Sequence, residues 1–337
     1  MKKNYLKTLI FALAILVGFS SSANAQKKNK KGDKNPVTTT EKTPPPAKKK
    51  SAKGPKAFED VITEEAKSDE GLFTTHEVDN KFYFEIPDSL LEREILVVSR
   101  IAGTIDGLNF GGAGMKSRPQ QVIRFQRNGD QIWLRSVSHN NVADEELPIY
   151  KSVKNNNFEP IVEVFTIDAL GKDSTSTIIE VTKFFSSDVE MLGPLSQGQR
   201  RQFGVRRLDG SRSMITKVSS FPLNVEVRHI LTYDASQLPS NSLTNTLSLE
   251  MNQSFILLPE KPMMPRLADR RVGYFSVSQY DYGLDEQKAA ARTFITRWRL
   301  EPKDPEAFKR GELVEPIKPI VYYIDEATPE KWRKYLK

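Results

Sequence analysis

Alternation of apolar and polar side chains along short runs is the dominant pattern of the chain, and it is typical of β-strands with one buried face. From Leu223 to Leu231 every second residue is apolar except His229, which falls on the same face. The runs 121–127 and 131–137 meet at Asn128-Gly129-Asp130, where Asn-Gly suits a tight turn, so they predict a hairpin. Further strands are predicted at 72–78, 81–86, 95–101, 161–168, 177–182, 213–219, 223–233, 247–258, 272–279 and 294–300.

Patterns with the period of a helix are few and short. Helices are predicted at 58–66, 186–195, 285–291 and 305–310, with a helical turn at 87–89. The arginine-rich stretch 195–210 predicts a mobile surface segment. These patterns predict a mainly β fold of antiparallel sheets, sandwich-like or barrel-like, with a few short helices.

The last stretch, 317–337, has the pattern of a β–α unit. Its bulky run 320–324 predicts a strand, and Thr328 followed by a proline suits the start of a helix. The apolar stripe of that helix consists of Trp332, Tyr335 and Leu336. Because a strand and a short helix do not make a core, we expect 317–337 to be the opening of a domain whose remainder is missing.

The amino terminus has the pattern of a secretory signal. Lysines precede the apolar run 9–19, and the small residues around Ala25 predict cleavage between Ala25 and Gln26, so residues 1–25 are assigned to the signal. No later run approaches the roughly 20 apolar residues that a membrane-spanning helix needs. The chain has no cysteine, which excludes disulfides and lipid anchoring through a cysteine. The expected location is periplasmic or extracellular.

Residues 26–57 form a lysine- and proline-rich stretch that predicts a disordered linker. A solvated spacer and a segment that adheres to an anionic surface are both compatible with it. The chain carries a net charge of +7, but eleven lysines lie in this linker, which leaves the rest mildly acidic and argues against nucleic-acid binding. The remaining parts are predicted as a small hairpin module at 58–101, a β-rich domain at 102–316 and the stretch 317–337.

The glycine-rich stretch 103–114 does not fit a phosphate-binding motif. Gly114-Met115-Lys116-Ser117 has one residue too many for a P-loop, and a dinucleotide fingerprint would need a third glycine at position 117. A surface loop is predicted instead. The chain also lacks the Gly-x-Ser-x-Gly nucleophile motif, and Asp144-Glu145-Glu146 is typical of a solvated loop and not of a calcium site.

The three histidines, His76, His139 and His229, do not form a His-Glu-x-x-His zinc motif. On the apolar face of its strand, His229 is typical of a hydrogen-bonded core residue. Whether the three converge on a metal ion is left open by their spacing. The sequence therefore assigns no catalytic, cofactor-binding or metal-binding residue in this chain.

Five short stretches carry a resemblance to a known family. The chain resembles the N-terminal, non-catalytic region of secreted bacterial zinc-dependent metalloproteases, whose metzincin-like catalytic domain carries His-Glu-x-x-His, from about Phe58 onward. The matching stretches are 269–275 (Asp-Arg-Arg-Val-Gly-Tyr-Phe), 281–283 (Asp-Tyr-Gly), 296–300 (Thr-Arg-Trp-Arg-Leu), 319–325 (Pro-Ile-Val-Tyr-Tyr-Ile-Asp) and 328–332 (Thr-Pro-Glu-Lys-Trp).

The resemblance implies that 317–337 is the start of a truncated catalytic domain and that the chain has an accessory or scaffolding role, so the chain is not expected to be catalytic by itself. It implies zinc in the complete family member, with the chain's own downstream catalytic domain and a protein or peptide substrate as partners. Because no cysteine is available for a latency switch, Asp281 beside Gly283 is a speculative latency residue that would reach the catalytic zinc. The alternative is a stand-alone β-rich binding or adhesion module of the cell envelope.

Overall fold

The computed structural model describes residues 54–108, 113–240, 242–285 and 288–336. The predicted signal and its cleavage site at Ala25 and Gln26 lie outside the described residues, as does nearly all of the linker. Strands make up 39% of the structure and helices 16%, which confirms the predicted mainly β class. The sheet is antiparallel and curls into a nearly closed barrel, the second of the two predicted arrangements.

The larger sheet has twelve strands and spans both sides of the module boundary predicted at residue 101. Its order is β1 (Lys67–Asp69), β2 (Thr74–Val78), β3 (Lys81–Pro87), β9 (Ser176–Glu180), β8 (Ile161–Leu170), β6 (Gln131–Val137), β5 (Gln121–Asn128), β4 (Ile95–Gly103), β13 (Thr246–Leu257), β12 (Asn224–Ala235) and β10 (Val205–Leu208), with β11 (Met214–Phe221) also paired to β12.

A second sheet has three strands, and the helices are short. The strands are β15 (Ala290–Ile295), β14 (Ser276–Asp281) and β7 (Asn141–Val142), in that order. The helices are α1 (Phe58–Val61), α2 (Tyr150–Asn156), α3 (Thr182–Ser186), α4 (Gln197–Gln202), α5 (Pro305–Lys309) and α6 (Glu330–Arg333), with 3₁₀ turns at Asp88–Leu90, Glu190–Leu192, Gly210–Arg212 and Ser242–Thr244. No helix in the described part of the chain has the length and apolar character needed to cross a bilayer.

Two predicted hairpins are confirmed, each with a turn that its residues explain. Asp79 and Asn80 adopt φ of 50° and 61° between β2 and β3, as a type I′ turn requires. Between β5 and β6 the turn residues are Gly129 and Asp130, since Asn128 pairs with Gln131. Of the Asn-Gly pair, Gly129 alone has positive φ (61°).

Aromatic side chains fill the centre of the barrel. Phe185 contacts Phe84, Phe184 and Phe255 edge to face, with ring centroids 5.9, 5.1 and 5.9 Å away. Phe73 lies 4.8 Å from Phe84 by the same measure. Such pairs add to the stabilisation that burial of their apolar area already gives. The alternation of apolar and polar residues in the sequence matches the burial of β12, where every second residue from Val225 to Ala235 is buried.

In the part of the chain that the structure describes, no backbone ladder pairs β1 with β11, and we call the gap between these strands the seam. At one end the edges are joined: Leu72 N–H donates to Phe221 O (2.7 Å) and Ser220 N–H to Asp69 Oδ2 (2.8 Å). At the other end they diverge around a cavity of about 660 Å³, lined by Ser68, His76 and residues 213–218.

Three predicted elements are wrong in the details that tertiary packing decides. The helix predicted at 186–195 is replaced by α3, which ends at Ser186, because Phe184 and Phe185 are drawn into the core. The helix predicted at 285–291 gives way at Ala290 to β15, which pairs with β14. The mobile segment predicted at 195–210 contains α4, with a capping box at Ser196, followed by strand β10.

The β–α unit predicted at 317–337 is confirmed only in its helix. Residues 320–324 form no strand, because no neighbouring strand lies beside them in the described part of the chain. The helix α6 begins at Glu330 and is shorter than predicted, and the side chain of Thr328 does not cap it. The strands predicted at 272–279 and 294–300 lie at 276–281 and 290–295.

Candidate functional site

A polar cleft of about 640 Å³ lies beside β5, β6 and α2, and Arg124 is one of the residues that line it. The guanidinium Nη2 of Arg124 lies 2.5 Å from Glu159 Oε1 and 4.0 Å from Glu94 Oε1, and its Nη1 lies 3.7 Å from Glu92 Oε2. Three carboxylates therefore surround one cation. Register places two of them there, since Arg124 is on β5, and Glu92 and Glu94 lie just before β4, which pairs with β5.

His139 extends this charge cluster. Its Nε2 lies 3.0 Å from Glu94 Oε2. The other carboxylate oxygen of Glu94, Oε1, is the one that lies 4.0 Å from Arg124 Nη2. The hydrogen bond to Glu94 raises the pKa of His139 above its usual value, and the same bond lowers the pKa of Glu94. The imidazole is thus held in its charged form to a higher pH than a free histidine.

Arg135 forms a rigid wall of the cleft. Its guanidinium lies 5.0 Å from the ring centroid of Trp133 and 5.1 Å from that of Phe158. Arg135 Nε donates to Gln126 Oε1 (2.6 Å), and Nη1 donates to the backbone oxygen of Glu159 (2.7 Å). Stacking and hydrogen bonds together fix the planar group. The cleft therefore offers preorganised charges of both signs, which suits a polar ligand that carries both.

The structure keeps the three histidines apart in separate environments. His229 is buried in the barrel, His139 lies in the cleft, and His76 lies between Ser68 and Glu85 on β1 and β3. Among the residues that the structure describes, no group of three or more histidine, aspartate or glutamate side chains could hold a metal ion.

His229 is hydrogen-bonded in the core, as its position on the apolar face predicts. The side-chain amide nitrogen of Gln253 donates to His229 Nε2 (3.0 Å) and to the backbone oxygen of Leu192 (2.9 Å). Because an amide nitrogen only donates, His229 accepts at Nε2 and is neutral. Burial lowers its pKa to about 4. This histidine stabilises the core and is not available as a ligand.

Asp281, the speculative latency residue, has partners within its own sheet. Its Oδ2 lies 3.2 Å from Arg292 Nη1 across the β14–β15 pair, and its Oδ1 accepts from Gly283 N–H (2.9 Å). The predicted surface loop at 103–114 is described only in part, with 109–112 outside the described residues. In the run 144–146, Asp144 Oδ1 accepts from Glu146 N–H (3.0 Å), as in a solvated turn.

The C-terminal segment, which we define as residues 261–336, exposes many large apolar side chains. Ala307 is its one buried residue in the described part. Its largely exposed side chains include Phe275, Trp298, Leu313, Tyr322, Tyr323, Trp332 and Tyr335. Such a concentration is unusual on a monomeric soluble protein, where large exposed apolar patches mark interaction sites.

The fold and the cleft define a class: a β-barrel-like domain with a polar cleft and an attached apolar segment. The chain belongs to the family described as Domain of unknown function (DUF5117), whose model matches residues 114–303. A second model, Domain of unknown function (DUF5118), matches residues 55–104. Searches of curated proteins and of solved structures found no match.

Proposed function

We propose that this chain is the accessory, non-catalytic region of an exported zinc-dependent metalloprotease and that it scaffolds the catalytic domain of that enzyme. The observation that carries the proposal is the exposed apolar surface of the C-terminal segment. Tyr323 is 93% exposed and Phe275 is 90% exposed, while the barrel beside them buries its aromatic side chains. A folded partner that covers this surface stabilises the assembly, since each large side chain removed from water contributes about 1.5–3 kcal/mol.

In this proposal the zinc belongs to the catalytic domain and not to the barrel. The three histidines of the chain lie in separate places, and the described residues hold no cluster of potential metal ligands. The resemblance at 269–283 and 319–332 falls within the C-terminal segment, the part that would contact the catalytic domain. Export through the signal at 1–25, with cleavage between Ala25 and Gln26, belongs to the same proposal.

The test is to isolate the native protein from its own cells with an affinity tag inserted in the linker 26–57. We expect about one zinc ion per polypeptide and peptidase activity that a chelator abolishes. The matched control is the recombinant 337-residue chain, which we expect to bind no stoichiometric zinc. A native protein without zinc and without peptidase activity would contradict the proposal. Its amino-terminal residue reports export: Gln26 is expected, and Met1 contradicts cleavage.

The polar cleft favours a second candidate, a stand-alone binding module of the cell envelope. Its fixed charges of both signs, Arg124 and Arg135 against Glu94 and Glu159, suit a ligand that carries an ammonium and a carboxylate. Titration with a zwitterionic tripeptide tests this function. Binding that Arg124→Gln abolishes supports it, and an unchanged barrel without binding argues against it.

A further inference from the structure

Ser68, His76 and Glu85 form a continuous hydrogen-bonded chain across β1, β2 and β3. Ser68 Oγ lies 2.7 Å from His76 Nδ1, and His76 Nε2 lies 2.9 Å from Glu85 Oε2. The other oxygen of that carboxylate accepts from Ser176 Oγ (2.5 Å). Register produces the alignment, because Ser68 pairs with His76 and His76 pairs with Tyr83, two residues before Glu85.

The positions of the protons follow from the partners. The hydrogen bond from His76 lowers the pKa of Glu85, so Glu85 is an ionised carboxylate that only accepts. His76 Nε2 therefore donates to Glu85, and in the neutral imidazole the unprotonated nitrogen is Nδ1. The hydroxyl of Ser68 donates to that nitrogen. This is the arrangement of nucleophile, base and orienting carboxylate found in serine hydrolases, with the roles of the two ring nitrogens exchanged.

The base is held rigidly in a site built around it. His76 is 4% exposed and packs edge to face against Phe58, with ring centroids 6.4 Å apart. A β-carbon at Gly171 would lie 2.0 Å from Ser176 Oγ and 2.5 Å from Glu85 Oε1, so only glycine leaves room for their hydrogen bond. Ser176, at the start of β9, thus fixes the carboxylate of Glu85. A surface serine that happens to lie near a histidine would not require such support.

Ser68 itself faces the open end of the seam. Ser68 is exposed and lines the cavity of about 660 Å³. Val181 N–H donates to Phe82 O (2.8 Å), so the backbone groups of Phe82 face β9 and those of Tyr83 face β2. His76 therefore exchanges its backbone hydrogen bonds with Tyr83 on β3, and none of them is directed at β1. The Ser68–His76 pair is then a non-hydrogen-bonded pair of the ladder, so the backbone N–H of Ser68 points away from β2 into the seam.

We propose that Ser68 is a nucleophile, with His76 as its general base and Glu85 as the positioning residue, and that it cleaves small carboxylic esters bound in the seam cavity. Ser68 Oγ attacks the ester carbonyl carbon while its proton moves to His76 Nδ1. The oxyanion faces the backbone N–H of Ser68. The bond to the alcohol oxygen breaks, and that oxygen takes the proton from Nδ1, which leaves an acylated serine.

Water completes the cycle. It attacks the acyl carbon and gives a proton to His76 Nδ1, the bond to Ser68 Oγ breaks, and Oγ regains the proton as the carboxylic acid leaves. No metal or redox partner enters this sequence. In the proposed accessory role the chain is non-catalytic with respect to peptide-bond cleavage by the metalloprotease. The esterase activity is separate from that role, so its failure leaves the role untouched.

The test uses a fluorophosphonate probe and p-nitrophenyl acetate with the purified chain. The wild-type protein should gain one adduct, mapped to Ser68, and the burst of p-nitrophenol should require Ser68. Ser68→Ala should abolish both, and His76→Gln should slow them about 100-fold, as expected for loss of a general base. Ser89→Ala, a change at another exposed serine, is the matched control and should leave both unchanged. An adduct at another residue, or equal labelling of Ser68→Ala, would overturn the proposal.

A cysteine substitution at position 68 tests the same role of His76 if the His76→Gln variant does not fold. The chain has no cysteine, so Ser68→Cys introduces a single thiol at an exposed position. If His76 accepts its proton, this thiol should react with iodoacetamide at pH 7 at least about 10-fold faster than the thiol of Ser89→Cys. Equal rates would show that His76 activates nothing at position 68.

Discussion

Phe185 and Phe275 are the same amino acid in opposite environments, one fully buried in the barrel and one 90% exposed in the C-terminal segment. The barrel contains the longest strands, β12 and β13, which have twelve residues each and share eleven registered pairs. The second sheet has one two-residue strand, β7, and its other strands have six residues each. The barrel therefore stabilises itself, whereas the C-terminal segment has the surface of a structure that packs on something else.

The largest expected difference comes from truncating these two phenylalanines. Phe185→Ala removes a side chain that contacts three other aromatic rings, so it should lower the free energy of unfolding by about 4 kcal/mol. Phe275→Ala should change it by less than about 0.5 kcal/mol, as for other exposed sites. Urea unfolding of both variants measures the pair. Equal losses would show that the segment is part of the barrel's cooperative core.

The pH dependence of stability should reveal the buried His229. Its pKa is lowered to about 4 in the folded chain, while the unfolded chain binds the proton at about 6.5. Stability is therefore fully present above pH 6.5 and falls as the pH is lowered toward 4, by about 3 kcal/mol in total. His229→Gln removes this contribution. Urea midpoints measured between pH 7 and 4 should fall more steeply for the wild type, and parallel curves would contradict the assignment.

The seam should be sensitive to a single added methyl group. A β-carbon at Gly71 would lie 2.4 Å from Ser220 Oγ and 2.6 Å from the backbone nitrogen of Phe221. Gly71→Ala should separate β1 from β11 and lower the unfolding free energy by about 2 kcal/mol, a typical overpacking cost. Gly210→Ala is the control, since nothing lies within 4 Å of its added carbon. A neutral Gly71→Ala would mean that the seam is not held closed there.

The smallest effect concerns the polar cleft. Glu94→Gln removes the carboxylate that hydrogen-bonds His139, so the pKa of His139 should fall toward its usual value. Because the pKa of His139 is raised and that of Glu94 is lowered, the pair stabilises the fold between these two pKa values. This contribution is lost as the pH rises through the pKa of His139 and as it falls through the pKa of Glu94. NMR titration of the three histidines in wild type and variant measures the shift. An unchanged His139 titration would show that the contact is not formed in solution.

The sequence predicts the hairpins well because their information is local. Asp79-Asn80 and Gly129 specify turns whose flanking residues alternate, and both strand pairs form as predicted. The position of α3 could not be predicted, because burial of Phe184 and Phe185 decides it and depends on strands far along the chain. The strand expected at 320–324 shows the converse: β propensity without a neighbouring strand does not make a sheet.

The Ser68 chain of hydrogen bonds could not be found from sequence for a related reason. Ser68, His76 and Glu85 are close along the chain, but their spacing of eight and nine residues fits no known motif. Ser176 joins them from 91 residues away. Only the register of β1, β2, β3 and β9 brings the four side chains together. No local signal in the sequence marks Ser68, because β1 (Lys67–Asp69) lies outside every strand predicted from the sequence.

Hydrogen–deuterium exchange over residues 261–336 tests the central claim most directly, when the recombinant chain is compared with the native protein isolated from cells. The barrel strands should be equally protected in both. The C-terminal segment should exchange rapidly in the recombinant chain and slowly in the native protein, where the proposed catalytic domain would cover it. Equal, rapid exchange of the segment in both proteins would contradict the proposal that its apolar surface packs against a partner domain.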